Sequence, residues 1–220
     1  MIPLHDDNPR MMTPFVNYGL IALNILVFFH QFRLPSVDLQ AFVYAYGAVP
    51  VEITNGQGYF SLLTSMFLHG GLLHLLSNLL YLYIFGDNVE GVMGHGRYLF
   101  FYILSGIGAA ALHIAIEPQS MVPMVGASGA ISGVLGAYLV KFPRARILIL
   151  FWIIFFVNTV RVPAIFVLGF WFFMQLTSGI SSLGMESGGG VAWFAHIGGF
   201  IVGLVLVVFF QKRRVIKTEW

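Results

Sequence analysis

The stretch Met124-Val125-Gly126-Ala127-Ser128-Gly129-Ala130-Ile131-Ser132-Gly133-Val134-Leu135-Gly136-Ala137 opens an apolar segment that ends at Lys141. A helix is expected here, from about Gly126 to Val140. Gly129 and Gly133 stand one helical turn apart and Gly136 follows, so one face carries no side chains and a second helix can approach closely. Backbone N–H groups in the first turn have no partner within a helix. The position that exposes Ser128 therefore also offers donors, those of Ala127 and Ser128, to a developing negative charge. Ser128 is a candidate nucleophile. A small-residue face in a membrane helix equally serves packing alone, and the stretch by itself does not separate the two readings.

Working outward, the 220 residues are 58% hydrophobic and 9% charged, with a mean hydropathy of +0.86, whereas a soluble domain carries about 25% charged residues. This is the composition of an integral membrane protein. Uncharged runs long enough to cross a hydrocarbon core of about 30 Å cover nearly the whole chain, so a single helical membrane domain over 1–220 is expected, with short tails at 1–13 and 211–220. There is no cysteine, which excludes disulfides, thiolate metal sites and a cysteine nucleophile. The net charge of +2 gives no indication of a nucleic-acid partner. Asp6 and Asp7 precede a long first apolar run, unlike a cleaved signal peptide, so that run reads as a retained anchor.

The expected spans are Pro14–Phe32, Phe60–Phe85, Tyr98–Ile116, the serine segment, Ala164–Ile180 and Val191–Phe210, an all-α bundle of six crossings. The loop Arg33–Tyr59 is long enough to hold short interfacial helices. Gly86, Gly91, Gly94 and Gly96 are expected to loosen the turn after the second span. The run Ile147–Val157 would reach only about 16 Å as a helix, too short to cross, and is expected along the inner interface. With the N-terminus inside, this count puts Arg10, Arg97, Lys141, Arg144, Arg146, Arg161, Lys212, Arg213, Arg214 and Lys217 on the cytoplasmic side and leaves Arg33 outside. Both termini are then cytoplasmic.

Depth brings a second residue into view. The serine helix is about 22 Å long, so if its end is level with the inner boundary, Ser128 lies about 8 Å below the outer one. His196 comes five residues into the last span, a depth of about 7 Å. Gly199 and Gly203 share its helix face, so the imidazole looks toward a close neighbour rather than lipid. Ionisable groups inside a membrane are costly and read by default as functional, although a histidine bonded to a backbone carbonyl for packing is the plain alternative.

His74 and Asn78 share a face of the second span, where a ring N–H and an amide could hold an oxyanion or could simply bridge helices. His69 and His74, five apart on a helix, would diverge by about 140° and make a poor metal pair. The sequence has no His-Glu-x-x-His motif and no carboxylate pair, which argues against zinc and aspartyl proteases; no metal and no cofactor is expected.

Together these residues resemble the rhomboid family of intramembrane serine proteases. The likeness lies in Phe67-Leu68-His69 with His74 and Asn78, in Gly126-Ala127-Ser128-Gly129 with Gly133 and Gly136, and in Ala195-His196-Ile197-Gly198-Gly199 with Gly203. Gly86, Glu90 and Gly94 fit the family's turn after the second span. The resemblance implies a six-helix rhomboid bundle and a Ser-His dyad, with Ser128 as nucleophile and His196 as general base, and no acid to make a triad. It implies an oxyanion hole from His74, Asn78 and the Ser128 N–H, with Gly126 keeping the approach open. Substrates would be transmembrane helices of other proteins, admitted from the bilayer near the second and fifth spans, with Ser181–Gly190 as a cap. Two departures stand out. A Trp-Arg pair common in the family's first loop is Phe60-Ser61 here, and a tyrosine that stacks on the histidine in several relatives is Ser132, so looser packing behind His196 is expected. The alternatives are an inactive rhomboid-like protein that binds membrane clients and a small-molecule transporter, for which the sequence offers no internal repeat. Short tails point to a bacterial inner membrane.

Overall fold

The computed structural model of the protein describes residues 2–153, 156–183 and 191–212. Most of the expected cap, 184–190, and the bases Arg213, Arg214 and Lys217 lie outside the described residues. The elements run β1 (Ile2–Asp6), α1 (Phe15–Arg33), α2 (Ser36–Tyr46), α3 (Pro50–Thr54), α4 (Ser61–Thr64) with a 3-10 turn (Ser65–Phe67), α5 (Leu72–Met93), α6 (His95–Ile116), α7 (Ser128–Lys141), β2 (Arg146–Ile153), β3 (Phe156–Pro163), α8 (Ala164–Ser182) and α9 (Trp193–Phe210). Helices α1, α6, α8 and α9 are each long and apolar enough to cross a membrane; the pair Ser61–Phe67 and α5, bent by 94°, makes a fifth span if counted as one.

The serine helix α7 is the axis of the bundle. Its 14 residues reach about 21 Å, and every residue from Ala130 to Tyr138 is buried. Helices α5, α6 and α9 wrap it. Contact with α9 is backbone on backbone: a Cβ on Gly199 would strike the Gly129 carbonyl, one on Gly203 the Gly133 carbonyl, and one on Gly136 the Phe200 carbonyl. The side-chain-free stripe inferred for α7 thus meets the glycine stripe of α9. Outward faces of α1 and α8 expose Leu26, Phe29, Phe32, Phe166, Phe170 and Phe173, as lipid-facing surfaces do.

The second span differs from its expected bounds. Its helix starts at Leu72 and continues to Met93. Gly86 and Gly91 lie inside that helix because neighbours approach there, Asn17 and the Tyr98 hydroxyl at the first and Met11 at the second. The chain turns at Gly94, where φ is +80°, a region glycine enters readily. Glu90, fully buried, accepts the free first-turn N–H groups of α1 from Val16 (3.1 Å) and Asn17 (2.8 Å), and its other partner is His95. Asn17 in turn donates to the Leu82 carbonyl and accepts from Tyr98. The long first loop holds α2 and α3, tied by an Ala48–Met124 pairing and by Phe60 set edge-on against Tyr46, ring centres 6.3 Å apart.

The all-α expectation needs correction at one end of the bundle, although the chain is mostly helical. Residues 147–153 and 156–157 lie in the paired strands β2 and β3, and β1 completes a three-stranded antiparallel sheet in the order β1-β2-β3. A short apolar run reads alike as buried helix or strand; here β-branched and aromatic residues prevail, and alternation buries Ile147 and Ile149. Asp6 anchors the sheet to the bundle, accepting from Tyr138 Oη, from Asn88 Nδ2 (3.1 Å) and from Asn8 Nδ2 (3.2 Å).

Burial holds the Asp6 carboxyl above its usual range, and the Tyr138 hydrogen bond opposes that shift. A carboxyl raised on folding adds stability below its unfolded pKa of about 3.9 and loses it as pH rises through the folded value. The protection of the β1 amides, corrected for the intrinsic pH dependence of exchange, is therefore expected to be higher near pH 4 than near pH 7, with that difference reduced in Asp6→Asn. Equal pH dependence in both proteins would show that Asp6 does not set the docking.

Candidate active site

Ser128 is the first residue of α7, reached through Gly126, whose φ of +127° strains any other residue. A Cβ at Gly126 would sit 2.8 Å from His74 Nε2 and 2.7 Å from Cε1, so that edge of the histidine ring is packed against this glycine. No side chain caps α7, which leaves its first-turn N–H groups pointing into the space around Ser128. Ala127 is fully buried below. Ser132 Oγ donates to the Ser128 carbonyl at 2.6 Å.

His196 stands in the first turns of α9, and its Nε2 is hydrogen-bonded to Ser128 Oγ at 2.8 Å. The depth count from the sequence and the contact in the structure agree. Gly129 and Gly199 make this possible: a Cβ on Gly129 would meet Ala109 Cβ at 2.7 Å, and one on Gly199 would meet Ser132 Cβ at 3.2 Å and the Gly129 carbonyl. The looser surroundings expected behind His196 are not what the structure has. Trp171 lies tilted against the ring with centres 6.0 Å apart, and Trp193 meets it edge-on at 6.2 Å.

His74 Nδ1 accepts the Gly70 N–H at 3.3 Å, so its Nε2 carries the proton and faces Gly126 beside Ser128. Asn78 is 7% exposed, and its Nδ2 has no partner among the described residues. A buried, unsatisfied donor is costly unless something else accepts from it. His69 behaves otherwise than its spacing implied. The chain bends at Gly70-Gly71, ahead of the helix start at Leu72, so the His69 and His74 rings meet edge to face with centres 5.2 Å apart. His69 is 3% exposed, Gln31 clasps its backbone through both amide atoms, and neither ring nitrogen has a partner among the described residues. It buttresses His74 from behind.

Ser128, His196, His74 and Asn78 line one cavity of about 1280 Å³, with Trp171 and His113 on other walls. Two further polar residues escaped the sequence reading. His113 on α6 lines the cavity and is buried, its Nδ1 without a partner among the described residues, and Gln175 on α8, behind His196 and 7% exposed, has its Oε1 2.8 Å from His196 Nδ1. A lone glutamine in an otherwise apolar span was the available signal for the second. A hydroxyl bonded to an imidazole, in one hollow with the His74 N–H and the Asn78 amide, can attack a carbonyl and hold the resulting oxyanion.

Residues 56–213 match the family profile described as "Rhomboid domain". The chain is 38% identical over 127 residues to "Rhomboid protease GluP" of Bacillus subtilis, covering 57% of this chain and 24% of that protein. It is 31% identical over 155 residues to "RHOMBOID-like protein 6, mitochondrial" of Arabidopsis thaliana, covering 70% and 45%. With "Rhomboid-like protein 11, chloroplastic" of the same plant it shares 31% identity over 199 residues, covering 88% and 64%. The chain spans less than two thirds of the length of each of these relatives. An integral, multi-pass membrane architecture and a family match over most of its length lead to one conclusion: the chain belongs to the rhomboid family.

Proposed function

We propose that the protein is an intramembrane serine endopeptidase that cleaves transmembrane segments of other membrane proteins. The observation that carries this reading is the 2.8 Å hydrogen bond from Ser128 to His196 in a hollow that also holds the unsatisfied Asn78 amide. His196 Nε2 takes the Ser128 proton as Oγ attacks the substrate carbonyl, then gives it to the departing amine. The oxyanion accepts from His74 Nε2–H, the Asn78 amide and the α7 N–H groups of Ala127 and Ser128, with Gly126 leaving room for the approach. Gly129 and Gly199 keep the two reacting helices in register, and His69 supports His74. Water entering the cavity then hydrolyses the acyl-enzyme. A carbonyl inside an intact helix is already bonded four residues on, so the substrate must unwind locally to present its scissile bond.

Six crossings with both termini cytoplasmic accompany this reading, α7 being the short central one. In support, Arg10 meets Asp87, Arg97 and Lys141 meet Gln211, and the Lys212 N–H meets the Val92 carbonyl, all at one end of the bundle, while Arg33 ends α1 at the other. A bacterial cell membrane is the location proposed here; the two plant relatives are named as mitochondrial and chloroplastic.

The test is incubation of the purified protein in liposomes with single-span substrates and with a fluorophosphonate probe for activated serine. Cleavage and labelling at Ser128 are expected. Failure of the wild type on both counts would favour a client-binding protein instead. Asn78→Ala and His74→Ala are each expected to lower kcat about 100-fold with KM within about threefold, since such donors act mainly in the transition state. Equal losses in kcat and in substrate affinity would assign both residues to packing.

A further inference from the structure

Gln175 is committed at both ends of its side-chain amide. Its Nε2 donates to the Trp171 carbonyl one turn earlier at 3.3 Å, which turns Oε1 toward His196 Nδ1 at 2.8 Å. An amide oxygen only accepts, so Nδ1 must carry the proton and Nε2 must present its lone pair to Ser128. The opposite tautomer would set a lone pair against the Gln175 oxygen and an N–H against the serine hydroxyl. Gln175 is 7% exposed in a span otherwise built of apolar residues, Thr, Ser and Gly, where an unused amide would be costly. Trp171, whose carbonyl holds the amide, also lies against the His196 ring, so one turn of α8 fixes both the tautomer and the plane of the imidazole.

We propose that Gln175 is the positioning residue of the dyad, a neutral third member that holds His196 in the tautomer able to accept the Ser128 proton. This rests on the protease reading given above for its kinetic consequences, though not for its tautomer. Being uncharged, Gln175 orients the imidazole without the electrostatic support that a carboxylate gives the imidazolium in a triad.

Three measurements test it. In Gln175→Leu, kcat is expected to fall on the order of 10- to 100-fold with KM within about twofold, because Nδ1–H loses its acceptor. In Gln175→Glu, nearly the same size, the carboxylate favours the imidazolium, so the acid limb of the pH–rate profile is expected to move up by about one pH unit or more. The 15N resonances of the His196 ring, read in the Ser128→Ala background where no turnover is needed, are expected to show protonated Nδ1 when Gln175 is present and mixed tautomers when Gln175→Leu is added. Wild-type kinetics in Gln175→Leu, an unmoved acid limb in Gln175→Glu, or an unchanged tautomer would each overturn the assignment. A wild-type protein that neither cleaves nor labels would overturn the protease reading instead, and the resonances would still decide whether Gln175 sets the tautomer.

Discussion

Ser128→Ala is expected to abolish cleavage and probe labelling, a loss on the order of a millionfold in kcat where a serine is the sole nucleophile. The argument is local. Ser128 Oγ is the hydroxyl bonded to His196, and Ser132, the next serine on α7, spends its hydroxyl on the Ser128 carbonyl. Fold stability should barely change, because the substitution removes one hydrogen bond worth about 1 kcal/mol and no packed volume of consequence. The melting temperature and the affinity for an intact substrate serve as controls for the kinetic loss. Cleavage persisting in this variant would remove Ser128 from the chemistry altogether.

The second large effect is expected at Gly203, remote from the reacting atoms. A Cβ there would lie 2.6 Å from the Gly133 Cα and carbonyl carbon and closer still to the oxygen, and backbone cannot swing aside as a side chain can. Gly203→Val therefore has to push α9 away from α7. Overpacking of this kind costs about 1–3 kcal/mol or more, and a displacement of 1 Å between reacting groups can lower a rate about 100-fold. Both a lower melting temperature and at least about a 100-fold slower cleavage are expected. Gly169→Ala in α8 is the contrast: none of the described residues lies within 4 Å of a Cβ there, and alanine suits a helix interior better than glycine. It should leave activity intact. Equal effects at the two glycines would mean that close approach of α7 and α9 does not matter.

Much of this arrangement is readable in the chain because membrane helices obey strict counting. Rise per residue put Ser128 and His196 at one depth, and glycine spacing put Gly199 and Gly203 on the face toward α7. Where a residue's partner lies on another element, counting fails. Gln175 reads as one polar residue in an apolar span until α8 is laid beside α9. The divergence inferred for His69 and His74 assumed a continuous helix, and the bend before Leu72 removed it. Gly86 and Gly91 looked like helix breakers, yet each admits a neighbour from the N-terminal part of the chain. The hairpin at 146–163 was missed because apolar content alone does not distinguish a strand from a short helix.

Strand β1 has a consequence for how the chain comes together in the cell. Residues 2–6 leave the ribosome about 140 residues before the β2 segment that they pair with. At about 5–20 residues per second, translation leaves them single for roughly 7 to 28 s, while α1, α5, α6 and α7 are already entering the bilayer. Closure of the sheet end of the bundle is thus a late event in biogenesis, and it draws an early-made strand back to a hairpin made only after the serine helix.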